Sequence, residues 1–320
     1  MSSITLSIDV HGGDYGIQNV MPAVAKVLRE SNQTFRLALC GRKSEIEQTI
    51  SEMRLDSFVE SGRIFIVSAE QEVPKGESVS RIWRNYPESS LVKAIAIQND
   101  GIANASLSAG DTGALFASSV FVLGRQDTIS RPALAATLPT ETGKTVLLLD
   151  VGASLDCNPE HLLGFGQMGY AYMKLLNREQ DPKIGLLNVG TEEHKGTVKI
   201  RRANELFVQS CPGYIGYVEG GDMLRGNCSV VVCDGFIGNA LLKNSESLFS
   251  FMKKQIAGYI SGSASAKLDL FNSEIYGSVP ILGLNGHVFK AHGGSSINAL
   301  THAIATALKT VYLLSESEKA

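Results

Sequence analysis

The sequence predicts an α/β protein with a doubly wound, mostly parallel sheet and helices on both faces. Three observations predict it. Short apolar runs alternate with longer stretches of helical periodicity along the chain. Several of those runs are apolar throughout, as strands covered on both faces must be. Almost every run ends in a small or polar cluster containing glycine, where such sheets turn into their helices. The 320 residues are 44% hydrophobic and 19% charged, which excludes disorder and supplies a large core. With no repeat, low-complexity tract or linker to mark a boundary, residues 1–320 read as one α/β domain.

The chain opens with a strand over Ile4–Val10, then the turn His11-Gly-Gly-Asp-Tyr-Gly16, then a helix over Asn19–Ser31. Pro22 fits that helix only in its first turn. Further strands are expected at Phe35–Cys40, Arg63–Ser68, Ala105–Ser108, Thr145–Val151, Lys183–Val189 and Ser229–Cys233. Helices are expected at Arg42–Met53, Ser89–Asn99, Gly113–Leu123, Pro159–Leu176, Glu192–Val208 and Asn239–Tyr259. Gly164-Phe-Gly166-Gln-Met-Gly169 spells a dinucleotide fingerprint but lies inside a helix rather than after a strand. Its glycines are therefore assigned to close approach of another helix or chain. The apolar residues Leu248, Phe249, Phe251, Met252, Ile256, Tyr259 and Ile260 suggest a helical excursion near 240–275 for dimerisation or membrane contact. Ser261–Ala266 reads as a mobile loop.

A formal net charge of −3 excludes a protein that is basic overall and wraps nucleic acid, so an anionic partner must meet a local patch. The densest such patch is Lys195, Lys199, Arg201 and Arg202, which suits docking of an acidic protein. The five cysteines form no CxxC pair, and no signal peptide precedes them, so they read as reduced thiols of a cytoplasmic protein. The best apolar run, near Ala114–Leu123, is broken by serines and too short to span a bilayer. The six histidines show no metal-type spacing, so neither a metal nor a cofactor is expected.

Four strand-end clusters carry Asp, Asn, Ser or Thr beside glycine: Ser108–Gly113, Asp150–Ser154, Asn188–Glu192 and Asp234–Asn239. In an open α/β sheet the ligand crevice lies outside the carboxyl ends of the strands, so these clusters are expected to form a site on one rim. Gly110–Gly113 and Gly293–Ser296 each precede a predicted helix, where free N–H groups and the helix dipole bind phosphate or carboxylate. Capping by Thr112 and Ser295 is the alternative. Cys157, with His161 four residues on, is a candidate thiol nucleophile, Cys233 reads as core, and His292 is the strongest histidine candidate.

Nine motifs in order then resemble the bacterial phosphate acyltransferases of phospholipid synthesis, the acyl-ACP:phosphate transacylases. They are Asp9-Val-His-Gly-Gly-Asp14, Ser108-Ala-Gly-Asp-Thr-Gly-Ala114, Arg131-Pro-Ala-Leu134, Leu149-Asp-Val-Gly-Ala153, Leu187-Asn-Val-Gly190, Glu193-His-Lys-Gly196, Tyr214–Gly220, Val232–Asn239 and Lys290-Ala-His-Gly293. The resemblance implies the fold shared by phosphate acetyltransferases and isocitrate- and isopropylmalate-dehydrogenase-like enzymes. It implies transfer of a long-chain acyl group from acyl carrier protein to inorganic phosphate, without cofactor. It also implies a homodimer associating peripherally with the membrane or with the glycerol-3-phosphate acyltransferase. His11, Asp111 and Gly277-Ser-Val-Pro280 depart from the family pattern, Asp111 by adding a carboxylate where Asn is usual.

Phosphate is itself the nucleophile in this chemistry, so the protein must orient it and stabilise the oxyanion. The phosphate/thioester-binding set is Gly12, Gly13, Asp14, Ser108, Gly110, Asp111, Thr112, Gly113, Arg131, Asp150, Gly235 and Ser295, with Lys290 or Arg131 as the cation. Asn188, Asn239 and His292 are candidates for oxyanion contact or proton handling, with Asp150 and Asp234 ordering those donors. The competing functions are an acyl-CoA-using phosphate acyltransferase, a nicotinamide-dependent decarboxylating dehydrogenase, against which the lack of paired metal-binding aspartates speaks, and a non-catalytic scaffold for acyl carrier protein.

Overall fold

In the computed structural model the described residues are 4–74, 77–176, 180–256 and 277–317. The elements in chain order are β1 (Ile4–Asp9), α1 (Ile17–Glu30), β2 (Phe35–Gly41), α2 (Lys43–Glu52), α3 (Asp56–Glu60), β3 (Ile64–Ser68), α4 (Ile82–Asn85), α5 (Ser90–Asn99), β4 (Ala105–Ser108) and α6 (Thr112–Leu123). They continue with β5 (Ala133–Pro139), β6 (Thr145–Leu149), α7 (Pro159–Leu176), β7 (Ile184–Leu187), α8 (Val198–Ser210), β8 (Tyr214–Val218), α9 (Asp222–Arg225), β9 (Val230–Val232), α10 (Gly235–Ile256), β10 (Ser278–Leu282), β11 (His287–Ala291) and α11 (Ile297–Ser317).

Contacts divide the chain into two compact units, Met1–Gln126 with Tyr276–Ala320, and Asp127–Ile275. The sequence shows no linker at either boundary. The first unit carries strands in the order β3-β2-β1-β4-β11-β10, with β10 antiparallel to β11 and the others parallel. Leu6 and Ile8 of β1 are buried with Val20, Val24 and Val27 of α1 and Ala303, Ala307 and Val311 of α11. The second unit carries β5-β6-β9-β7-β8, with β5 antiparallel to β6 and the others parallel. The apolar runs of β6, β7 and β9 are buried nearly throughout. The mostly parallel α/β architecture is thus found in each unit.

Several boundaries differ from expectation for local reasons. Pro22 lies at the sixth position of α1, beyond the first turn where it was expected. Helix α8 begins at Val198, not Glu192, because Gly196 takes a left-handed turn and the Thr197 side chain caps the Ile200 N–H at 3.2 Å. Helix α10 begins at Gly235 rather than Asn239, after Asp234 caps the Ile237 N–H at 3.0 Å. Strands β5, β8, β10 and β11 escape the sequence reading. β5 is alanine-rich, and β8 and β11 are broken by Gly216 and Lys290. The most membrane-like helix among the described residues is α11 rather than Ala114–Leu123, and 56% of its apolar window is buried, as in a core helix. Beyond Ile256, the expected excursion near 240–275 and the loop at Ser261–Ala266 lie outside the described residues.

The Gly164–Gly169 segment lies inside α7, and the expected close approach of another helix is found at Gly166, whereas Gly169 faces strands and Gly164 faces open space. A Cβ on Gly166 would stand 2.6 Å from the Phe207 ring of α8, and one on Gly169 would stand 2.6 Å from Val230 of β9. Gly164 meets nothing within 4 Å. Gly166→Ala and Gly169→Ala should each destabilise by about 1–3 kcal/mol through overpacking, while Gly164→Ala should be neutral or stabilise by up to about 1 kcal/mol. Thermal melts of the three variants check this ordering, and equal shifts would refute it.

Candidate active site

The first unit concentrates polar groups at the carboxyl ends of three adjacent strands. Asp9 ends β1, Ser108 ends β4, and Lys290 lies next to the end of β11. The registers pair Ile8 with Leu107 and Ser108 with Lys290, so Asp9, Ser108 and Lys290 stand in a row across the sheet. Each strand runs through a short loop into a helix: His11–Gly16 into α1, Ala109–Asp111 into α6, and His292–Ser296 into α11. Three helix N-termini, each a positive dipole end, therefore open at one edge of this unit.

The loops rest directly on one another. The Asp14 N–H donates to the Gly293 carbonyl at 2.9 Å, and the Asn19 amide donates to the Ser295 carbonyl at 3.0 Å. The Lys290 ammonium donates to the Ala109 carbonyl at 3.3 Å and also to the Ala291 carbonyl. Only glycine allows this approach. A Cβ on Gly13, at φ +91°, would stand 2.9 Å from the Gly293 oxygen, and one on Gly12 would stand 2.5 Å from Asp9 Oδ2 and 2.9 Å from the Gly110 nitrogen.

The structure brings Gly12, Gly13, Asp14, Gly110, Asp111, Thr112, Gly113, Lys290, His292 and Ser295 into this edge, and it corrects several roles. Asp111, not Thr112, caps α6, its Oδ1 accepting from the Ala114 N–H at 2.8 Å. Ser296, not Ser295, caps α11 at the Ala299 N–H, 3.2 Å away, while Ser295 is buried and donates its N–H to the His292 carbonyl at 3.1 Å. Ser108, expected to touch phosphate, is 2% exposed. Its hydroxyl donates to Asp9 Oδ2 at 2.7 Å and accepts from the Gly110 N–H at 2.9 Å, so it works from beneath. His292 is exposed, with Nδ1 accepting from the Gly294 N–H at 3.1 Å. His11 is structural: Nε2 accepts from the Arg42 N–H at 3.0 Å, the ring packs against Gly41, and burial lowers its pKa.

The second unit has its own cluster. Asp150 is fully buried, with Oδ1 accepting from the N–H groups of Leu134 (2.9 Å) and Ala153 (3.1 Å), and Oδ2 from Ser154 (2.7 Å). Burial pushes its carboxyl pKa up, and the backbone N–H bonds oppose that. Asp150 is therefore a turn pin rather than the substrate contact expected of it. A Cβ on Gly235 would stand 2.6 Å from Asp150 Oδ2. Arg131 donates to the Ser154 hydroxyl and so belongs to this cluster. Asn239 is exposed and lies over Gly152, whose added Cβ would be 3.6 Å from its side chain. Asn188 keeps a buried Nδ2 without a hydrogen-bond partner among the described residues, and its Oδ1 lies where a Cβ on Gly196 would come within 2.3 Å. Asp234 caps α10.

The basic run is internally matched. Lys195 faces Glu192 at 4.0 Å, Lys199 pairs with Asp156, Arg202 pairs with Glu205, and Arg201 donates to the Gly196 carbonyl at 2.6 Å. Asp9 is the residue that the sequence reading left without a role. Its one signal is a carboxylate at the end of an apolar strand, directly before the Gly-Gly turn.

No thiol is activated among these groups. Burial raises the Cys157 thiol to about 11, its Sγ faces the Ser154 carbonyl, and His161 is engaged in a reciprocal cap with Asn158. Cys233 is buried and pushed well above the usual thiol range. A raised pKa keeps the thiol protonated through neutral pH, so alkylation of Cys157 in the folded protein should stay slower than that of a free thiol until the pH approaches 11. Cys157→Ala should keep activity within about threefold. A tenfold loss at unchanged melting temperature would restore the thiol as a nucleophile.

A family model described as a fatty acid synthesis protein matches residues 4–313. The phosphate acyltransferase of Coxiella burnetii is 37% identical over 318 residues, covering 95% of this chain and 92% of its own. That of Geobacillus thermodenitrificans is 37% identical over 321 residues, covering 96% and 95%. Among solved structures, a branched-chain phosphotransacylase from Enterococcus faecalis is similar in fold, with a TM-score of 0.64 at 14% identity, covering 97% of this chain and 99% of that one. The chain is an acyltransferase and belongs to the fatty acid synthesis protein family of bacterial phosphate acyltransferases.

Proposed function

We propose that the chain transfers a long-chain fatty acyl group from acyl carrier protein to inorganic phosphate by direct attack of phosphate on the thioester. The observation that carries this reading is the glycine-lined edge of the first unit, where α1, α6 and α11 open side by side next to the Lys290 ammonium. Phosphate is held by the backbone of Gly12–Asp14 and Gly110–Gly113, with Thr112 and Lys290 as side-chain contacts. A phosphate oxygen forms the new C–O bond at the thioester carbon, and the tetrahedral oxyanion collapses with cleavage of the C–S bond. The thiolate leaves and takes up the proton that monohydrogen phosphate brought. His292, at the same edge, serves as an oxyanion or proton-handling group, one such donor contributing about 3–4 kcal/mol to the transition state.

Acyl carrier protein docks through Lys195, Lys199, Arg201 and Arg202. Exposed ion pairs contribute only about 0–1 kcal/mol, so these cations can exchange their present carboxylates for those of an acidic partner. The protein acts as a cytoplasmic homodimer, with peripheral membrane association through the segment near 240–275.

The test follows thiol release from long-chain acyl carrier protein with and without phosphate, with hydroxylamine trapping of acyl phosphate and acyl-CoA in parallel. Phosphate-dependent release from the carrier alone is expected. Release only from acyl-CoA would favour the alternative donor, and no release from a folded protein would leave the scaffold reading.

Asp111 makes a sharper case. Its carboxylate caps α6 and also opposes an anion at the same N–H groups. Asp111→Asn keeps a capping oxygen and deletes the charge, so KM for phosphate should fall about threefold or more while the melting temperature holds. A raised KM would place a cation, not phosphate, against Asp111.

A further inference from the structure

The edge of the first unit contains one group that its architecture does not explain. Asp9 is 2% exposed, yet only Oδ2 is bonded, and the buried Oδ1 has no hydrogen-bond partner among the described residues. A buried acceptor left unmade is costly, so its retention asks for a reason. The contrast with Asp150 is direct. Asp150 also follows a parallel strand, but its oxygens accept from the N–H groups of Leu134, Ala153 and Ser154, as a structural pin should. The Asp9 carboxylate accepts no backbone N–H among the described bonds and spends its one bond on a side chain.

That bond has a direction. An ionised carboxylate only accepts, so the Ser108 hydroxyl proton must point at Asp9. The lone pairs of Ser108 Oγ are then turned to the Gly110 N–H, which donates to it at 2.9 Å. This fixes the peptide plane that opens the Ala109–Asp111 turn into α6. Gly12 and Gly110 enclose the same carboxylate, an added Cβ at either coming within 2.5 and 3.5 Å of Oδ2 respectively.

We propose that Asp9 is a positioning residue of the phosphate site, acting through Ser108 to hold the Ala109–Asp111 turn in its anion-binding form. The proposal rests on the reading of this edge as the phosphate site. Asparagine at position 9 could donate to Ser108 as readily as accept from it. The hydroxyl would then have two orientations, one of which turns its proton against the Gly110 N–H. The cost falls on phosphate and not on the acyl donor.

The experiment compares wild type, Asp9→Asn, Ser108→Ala and the double variant by KM for phosphate, KM for the acyl donor, kcat and melting temperature. Wild type is assayed first. If its thiol release does not depend on phosphate, the function proposed above fails before Asp9 is tested. Given that dependence, Asp9→Asn should raise KM for phosphate about tenfold, with the donor KM within about twofold. The double variant should be no worse than Ser108→Ala, because both substitutions break one chain of bonds. An unmoved phosphate KM, multiplying losses in the double variant, or equal losses for both substrates alongside a lowered melting temperature would overturn the proposal. Should Asp9→Asn fail to fold, Ser108→Ala decides alone: a selective rise in phosphate KM supports the proposal, and any other result refutes it.

Discussion

The distance at which three backbone loops can touch governs the architecture of the first unit's edge. The loops after β1, β4 and β11 meet through Asp14 N–H to Gly293 O and through the Lys290 ammonium on the Ala109 carbonyl. A single methyl group at Gly12 or Gly13 would collide with Asp9 Oδ2 or Gly293 O at under 3 Å. Because the backbones can close on one another, α1, α6 and α11 start beyond adjacent strand ends, and their positive dipole ends gather there. Glycine is entropically unfavourable in regular structure. Gly12, Gly13 and Gly110 stand instead in loops, where close approach and, at Gly13, a positive φ require it.

The two units use the same motif for different ends. Each places a buried aspartate at or just after the end of a parallel strand and packs glycine against it, Gly12 on Asp9 and Gly235 on Asp150. Asp150 is saturated by backbone donors, so its negative charge is spent on fixing the turn that follows β6. Asp9 is joined to the chain through a hydroxyl, whose proton can reorient if the charge is removed. Saturation makes a carboxylate structural, and a single polar side-chain bond makes it a determinant of how its neighbour points.

Much of this was legible in the sequence. Alternation of apolar runs with helical periods predicted the parallel layers, and the clusters beginning at Ser108, Asp150, Asn188 and Asp234 all lie at strand ends. Placing Gly166 inside a helix predicted its close packing, borne out against Phe207. What escaped was set by tertiary pairing. β10 and β11 are short and interrupted, and they qualify as strands through their pairing, β11 on β4 and β10 on β11. Helix starts moved by one to six residues because a single cap, Asp111, Thr197 or Asp234, selects which N–H opens the helix. The role of Ser108 was invisible because the hydroxyl faces inward to Asp9, which no periodicity of a four-residue strand reveals.

The described cysteines are all buried, and burial raises the Cys157 and Cys233 thiols, which suits a reaction whose nucleophile arrives with the substrate. Phosphate needs no proton removed by a side chain before it attacks, so the protein's task reduces to holding an anion that water would otherwise solvate. Under the function proposed above, the edge of the first unit does this with an unusual charge balance. Asp14 and Asp111 stand with Lys290 around the loops, and Asp9 lies beneath them. One ammonium among three carboxyl groups leaves an anion little net Coulomb attraction. Phosphate binding in that proposal draws on oriented N–H groups at contact distance, where direction counts for more than net charge. That requirement makes the geometry of a buried serine hydroxyl matter, since it sets the plane of the peptide that begins the turn.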